Sequence, residues 1–318
     1  MNLFVSLKYL VALDDHRHFG RAALACHVTQ PALSNAIRAL EESYGCAIVK
    51  RVRNFGGFTE EGERVLQSAR RILHEQELLA QDLSSRADTP RGALLIGAVP
   101  TAMPIAARFV AQLRERHPGI VPTLRSMSSV ELESGLEALA LDMGLGYTER
   151  VADSRAQLRV LPQYTEHYYL LQRSHATGEA GLRQGTALRW AEAATQPLCL
   201  LSPEMHNRRI VDRAFAAAGC QVSAAIESNS TITLVCAVQA GDVAAVLPGA
   251  LLGTLHADGS LEACPLIEPA IEIPIAFLVH QNSRPSRTLE AALALAASPE
   301  WLAHAARHAG AQALPGTP

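Results

Sequence analysis

A chain of 318 residues that is 48% hydrophobic and 19% charged has the balance of a folded globular protein and excludes an intrinsically disordered one. Its length predicts two cores, one of them bipartite. The formal net charge of −3 excludes a uniformly basic nucleic-acid binder, so any such role has to rest on where the charge lies.

The opening MNLFVSLKYLVAL lacks a basic start, is broken by Lys8, runs into Asp14-Asp15 and has no small-residue cleavage site; it reads as a helix and not a secretory signal. Leu3, Leu7, Leu10 and Val11 give that helix its apolar stripe. The next segment, FGRAALACHVTQPALSNAIRALEE, predicts two short helices joined by a tight turn. Ala22 and Ala23 allow a close helix crossing, Val28 plugs the turn, Thr29 is an N-cap, and Pro31 sits in the first turn, where its missing N–H costs nothing. The second helix therefore starts near Gln30.

Leu33, Ala36, Ile37 and Leu40 share one stripe of that helix and must face a core, which turns Pro31, Ser34, Asn35 and Arg38 outward. These types suit the major groove of double-stranded DNA. Arg38 can bond guanine bidentately, Gln30 or Asn35 adenine, and Pro31 can touch a thymine methyl, while Ser34 can serve a base or a phosphate. A solvated helix face would carry similar residues, and the segment C-terminal to the helix decides between the two. YGCAIVKRVRNFGGFTEEGE predicts a short strand, a turn at Asn54-Phe55-Gly56-Gly57 and a helix starting at Thr59, which together make a wing. Lys50, Arg51 and Arg53 cluster on it and are placed to meet phosphates or a minor groove. Residues 1–58 carry seven Lys and Arg against four Asp and Glu, the reverse of the overall sign.

HFGRAALACHVTQPALSNAIRALEESYG together with FTEEGERVL resembles the DNA-binding domain of LysR-type transcriptional regulators. The likeness lies in the Thr-Gln-Pro-Ala-Leu-Ser start of the recognition helix, its Leu-Glu-Glu end, and the Thr-Glu-x-Gly-Glu opening of a linker helix. It departs at the wing, where the usual Leu-Phe-x-Arg is replaced by Ile48-Val49-Lys50-Arg51. From Thr59 to Asp88, Val65, Ala69, Ile72, Gln76, Leu79 and Leu83 recur at alternating spacings of four and three, a coiled-coil seam. In the resembling family such a helix makes the homodimer, so a dimer or a dimer of dimers is implied, with RNA polymerase as a further candidate partner. Thr89-Pro90-Arg91-Gly92 reads as a hinge.

From Ala93 apolar strands alternate with helices: ALLIGAV, a helix to about His117, a strand near Val121–Arg125, a helix from Val130, then LDMGLGY. A second series has HYYLLQ, a short helix at Trp190, PLCLL, a helix from about Asn207, VSAAIE, a helix from Thr231, and VAAVLP. IPIAFLVH and a final helix return the chain. This is βαβ logic and predicts a mixed sheet with flanking helices.

Such a pair of series resembles the effector domain of the same family, which implies an α/β fold with an α-rich N-terminal winged helix-turn-helix and a two-lobed C-terminal domain like a periplasmic binding protein. The implied boundaries are 1–58 for the winged helix, 59–91 for linker helix and hinge, and 92–305 for the effector domain. Lobe I covers about 92–162 and 268–305, lobe II about 163–267, and 306–318 forms a disordered tail. A small-molecule effector, anionic or polar, would sit between the lobes at helix starts, where free N–H groups favour it. The residues at those starts are Thr101, Ser128, Ser129, Met205, His206, Asn207, Ser228 and Asn229; each polar one could equally be an N-cap.

Two rival readings stay open. One branch of the family senses peroxide with a cysteine pair, and HRHFGRAA is similar to it; aligning PLCLLSPEMHNRRIVDRAFAAAG with its redox segment puts His206 and Phe215 where the cysteines belong. The six cysteines are scattered, with no Cys-x-x-Cys, and are read as reduced thiols; no metal or cofactor is expected. The other rival is an enzyme or solute-binding protein on the same fold, but Gly-x-Ser-x-Gly, His-Glu-x-x-His and P-loop motifs are missing. No apolar run spans a bilayer, and the chain is expected to be cytoplasmic with no membrane contact.

Overall fold

The structure, a computed structural model, describes residues 2–51, 55–84, 89–150, 157–174, 181–255, 258–281 and 284–310. It divides into two compact units between Asp88 and Thr89.

In the first unit, α1 (Leu3–His16), α2 (Phe19–Ala25) and α3 (Gln30–Tyr44) precede a hairpin of β1 (Val49–Arg51) and β2 (Phe55–Phe58), with α4 (Glu60–Ser84) after it. The starts are set by side chains: His18 Nδ1 accepts from the amides of Gly20 and Arg21, and Thr29 Oγ1 accepts from Ala32 N. Leu7, Leu10, Leu13, Ala22, Leu33, Ile37, Leu40, Ile48, Phe58, Leu66 and Ala69 form the core. Glu41, buried in the last turn of α3, receives the amides of Ile48 at 2.9 Å and Val49 at 3.1 Å, which fixes the hairpin to α3.

Two expectations change here. Phe55, Gly56 and Gly57 belong to β2 and not to the turn, because Phe55 packs edge-on against Phe19 and Phe58 and pairs with Arg51. Two of the six residues expected in a coiled-coil seam serve the unit's own core instead: Ala69 is fully buried and Val65 packs on the same core, so neither is free to meet a second chain. Ile72, Gln76, Leu79 and Leu83 remain exposed, Leu83 by 81%.

The second unit has two sheets. In lobe I, β3 (Gly92–Ala98), β4 (Ile120–Ser126), β5 (Met143–Tyr147), β6 (Leu158–Glu166) and β14 (Ile273–His280) lie in the order β4-β3-β5-β14-β6, the first three parallel and β14 antiparallel to both neighbours. Helices α5 (Met103–Arg116) and α6 (Ser129–Glu137) connect them, and Phe109 packs on Phe277 and Trp301. In lobe II, β7 (Tyr168–Arg173), β8 (Gly181–Gln184), β10 (Leu198–Leu201), β11 (Ile226–Ser228), β12 (Ala244–Pro248) and β13 (Asp258–Ile267) run in the order β11-β10-β12-β7-β13-β8, and β9 (Leu188–Arg189) pairs with β13. Helices α7 (His206–Ala217) and α8 (Thr231–Ala240) come after β10 and β11.

The chain crosses between lobes after Glu166 and again before Ile273, and these two residues are register partners in β6 and β14. Residues 163–166 therefore lie in lobe I and not lobe II as expected, since β6 is a strand that the sequence pattern did not reveal. The segment VSAAIE contributes to the sheet only from Ile226. The single final helix expected is two, α9 (Arg287–Ala296) and α10 (Pro299–His308). Residues 306–310 are likewise not a disordered tail: α10 runs through His308, Ala309 is fully buried, and the Gly310 carbonyl accepts from the Tyr169 hydroxyl at 2.7 Å. Residues 311–318 lie outside the described residues.

Candidate functional site

In the first unit the outward face of α3 is as the periodicity implies. Leu33, Ile37 and Leu40 are buried, while Thr29, Gln30, Pro31, Asn35 and Arg38 are exposed and Ser34 is half-buried. Arg38 donates from its guanidinium to Asn35 Oδ1 at 3.3 Å, so two of the expected base readers support each other one turn apart. Lys50 is exposed on β1; the Arg51 side chain and all of Arg53 lie outside the described residues.

In the second unit, six of the eight residues expected at an effector site line one cavity of about 180 Å³ between the lobes. Lobe I supplies Val99, Pro100, Thr101, Ser128, Ser129, Val130, Tyr147 and Arg150; lobe II supplies Leu201, Glu204, Met205, His206, Asn207 and Arg209. Ser228 and Asn229 are not among them: Ser228 ends β11, and its hydroxyl accepts from the amide of Ser230, a local turn that keeps it from the cavity.

The roles divide by hydrogen bonding. Thr101 Oγ1 lies 2.8 Å from the Tyr147 hydroxyl, and Asn207 Nδ2 donates to Tyr168 at 2.8 Å and Tyr147 at 3.4 Å, so these buried groups tie lobe to lobe. Ser128 is an N-cap, its hydroxyl and amide joined to Glu131, as the alternative for that position holds. The Ser129 hydroxyl, in a residue only 6% exposed, has no partner. His206 Nε2 lies 2.8 Å from Glu149 Oε1, which also meets Arg213 at 3.0 Å, whereas His206 Nδ1 is buried without a partner. Burial holds the His206 imidazole below its ordinary pKa against the opposing pull of Glu149. Burial, reinforced by the Glu166 charge, raises the Tyr147 phenol. Glu166 itself, fully buried at the lobe crossing, is pushed by burial from 4.5 up to about 8, with one carboxyl oxygen unpartnered.

Tyr147, Glu149, Arg150, Tyr168 and Glu166 are functional-site neighbours that the sequence reading missed. Tyr147 ends the LDMGLGY strand, so the strand-end rule that found Thr101 could have found it; Glu166 carries no such signal, because β6 was not anticipated.

A family model described as LysR substrate binding domain matches residues 87–298, and a second, described as bacterial regulatory helix-turn-helix protein of the lysR family, matches residues 4–63. The chain belongs to the LysR family. Among LysR-family relatives it is 36% identical to the DNA-binding transcriptional dual regulator OxyR of Escherichia coli K12 over 137 residues, 43% of this chain and 45% of that protein. It is 36% identical to the SDS degradation transcriptional activation protein of a Pseudomonas species over 163 residues, 51% of each chain. The matched segments span about half the length of these relatives. The fold is that of full-length OxyR C199D from Pseudomonas aeruginosa, with TM-score 0.68, 24% identity and coverage of 91% of this chain and 95% of that one. It is also that of CbnR in complex with its target DNA, with TM-score 0.64, 19% identity and coverage of 95% and 99%.

Proposed function

We propose that this LysR-family chain is a sequence-specific transcriptional regulator that reads double-stranded DNA with α3 and is controlled by a small-molecule effector in the inter-lobe cavity. The observation that carries the reading is the exposed polar face Gln30, Pro31, Asn35 and Arg38 on a helix whose other face is buried. Base edges in a major groove need such donors held on a rigid element. The solved structure of CbnR with its target DNA supports it by likeness of fold.

The effector reading rests on the cavity itself, to whose walls the two lobes bring Thr101, Ser129, Met205, His206 and Asn207, with the Ser129 hydroxyl and His206 Nδ1 unpartnered. Buried polar atoms left without partners in a folded protein ask for a ligand or ordered water. A homodimer through the exposed part of α4, assembling further on DNA, and a cytoplasmic location complete the reading; none of the described helices is long and apolar enough to cross a membrane.

The likeness to hydrogen-peroxide regulators favours a redox-sensing alternative. The two buried thiols oppose it. Thiolate is the reactive form, and burial raises Cys199 and also Cys264, the latter to about 11. Cys199 is fully buried in β10, and α7 begins with His206.

Fluorescence anisotropy on the duplex upstream of its own gene, against a scrambled duplex at several salt concentrations, tests the regulator. Tight, sequence-dependent binding with a steep salt slope is expected; equal weak binding to both duplexes refutes it.

A further inference from the structure

The two lobes also meet through residues that do not line the inter-lobe cavity. Helix α10 is seated on lobe I: Trp301 packs edge-on against Phe109, with ring centroids 5.0 Å apart, and its Nε1 donates to Gln163 Oε1 at 2.6 Å. Its far end reaches lobe II. Ala309, fully buried, follows the last turn, and the Gly310 carbonyl accepts from the Tyr169 hydroxyl of β7 at 2.7 Å. Backbone lies on backbone there, since a Cβ on Gly249, just past β12, would collide with the Ala309 carbonyl. From lobe I, the Arg108 guanidinium of α5 donates to the Gly253 carbonyl at 3.4 Å.

Two features set this junction apart from the core. A second cavity, of about 230 Å³, opens beside it, walled by Tyr169, Gly249 and Gly310 together with Leu182 and Leu252. Side chains do not interdigitate across that stretch, so little dispersion attraction is lost when the surfaces part. The other feature is the pairing of Tyr169 with Tyr168. Successive strand residues point to opposite faces, so β7 sends Tyr168 to Asn207 at the effector cavity and Tyr169 to the end of α10. β7 starts two residues past Glu166, where the chain crosses between lobes, so any turn of lobe II about the crossing strands moves both phenols together. We propose that the end of α10 is a latch: it holds the lobes at one angle through Tyr169 and the Gly249–Ala309 backbone contact, and it lets go when lobe II turns. The latch involves neither DNA nor effector, so its failure and the failure of the regulator reading are separate results.

Single-molecule energy transfer on the full chain reads the lobe angle, with dyes on unnatural amino acids placed at Glu115 of lobe I and Asp242 of lobe II, both exposed, and labelled protein diluted into unlabelled. Hydrogen exchange reads the end of α10. Tyr169→Phe removes the hydroxyl, and Gly249→Ala wedges a methyl against the Ala309 carbonyl. Both variants should broaden a narrow native distribution of inter-lobe distances. Both should also speed exchange of the amides from Ala305 to Gly310 about tenfold, the effect of losing one hydrogen bond, with exchange in β3 and β5 unchanged. Faster exchange at an unchanged distance distribution makes the contact a local helix stop and overturns the latch. Native exchange in the variants, or a distribution already broad in the native chain, overturns it as well. Should Gly249→Ala fail to fold, Tyr169→Phe decides alone.

Discussion

The hydroxyl of Thr101, in the turn just past the first strand of lobe I, lies 2.8 Å from the phenol oxygen of Tyr147, and that same oxygen receives Asn207 from lobe II at 3.4 Å. One phenol thus joins the two lobes at the cavity wall. Tyr147→Phe would leave Thr101 without its partner in a site 1% exposed, and Asn207 with one bond fewer. We expect a loss of about 1–3 kcal/mol in denaturant-unfolding stability, with the far-ultraviolet circular dichroism spectrum unchanged.

Glu166 makes stability depend on pH. The unfolded carboxyl releases its proton near 4.5, whereas the folded one holds it to about 8. Between those values the folded state binds more protons, so stability falls as pH rises and levels off above about 8. The slope from this group is on the order of 1 kcal/mol per pH unit. Glu166→Gln should abolish it and raise stability at pH 7.5 relative to the native chain. Urea midpoints measured from pH 5 to 9 check this; an unchanged slope in the variant means Glu166 is ionised when buried.

Gly62 answers a packing demand. A Cβ there would collide with the backbone carbonyl of Ile48, and Thr59 Oγ1 both donates to the Ala47 carbonyl at 2.6 Å and accepts the Gly62 amide at 2.9 Å. Gly62→Ala should cost about 1–3 kcal/mol by overpacking, seen as a lower calorimetric Tm for the N-terminal unit, with the second unit's transition unmoved.

The legible parts of the chain are those where a local pattern and a tertiary demand coincide. Thr29, Pro31 and the stripe Leu33, Ile37, Leu40 fix α3 from sequence, and Glu41 and Gly62 explain in contacts why the Leu-Glu-Glu and Thr-Glu-x-Gly-Glu motifs hold those residues. The heptad pattern misleads at Val65 and Ala69 because the same spacing serves an intramolecular core and an intermolecular seam. β6 and β13 carry Pro162 and Pro265 within their runs, and proline weakens a strand pattern. Ser129 is separated from Ser128 only by which hydroxyl meets Glu131, a distinction of side-chain geometry that no spacing encodes.

The division of α4 gives a direct comparison. Leu79, 60% exposed, lies on the face proposed to meet a second chain, while Ala69 is fully buried in its own unit. Leu79→Glu should keep the fold and weaken dimerisation by at least tenfold, since burying one leucine contributes roughly 2 kcal/mol. Ala69→Glu should instead unfold the N-terminal unit. Sedimentation equilibrium with circular dichroism separates the two; a Leu79→Glu protein that dimerises as tightly as the native chain places the interface elsewhere.

Arg38 and Lys50 should fail in different ways on DNA. Arg38 stands on the outward face of α3 with Asn35 holding its guanidinium, and if it reads a base as proposed, Arg38→Ala should cost about 1–3 kcal/mol on the specific site with little change on random duplex. Lys50 is exposed on β1, and in the proposed reading its single charge would meet phosphate whatever the sequence. Lys50→Ala should weaken specific and random DNA alike and reduce the slope of log affinity against log salt by about 0.9. Anisotropy titrations of both variants on both duplexes distinguish these outcomes: an Arg38→Ala loss that is equal on cognate and random DNA would make Arg38 a phosphate contact, and leave base reading to Gln30 and Asn35.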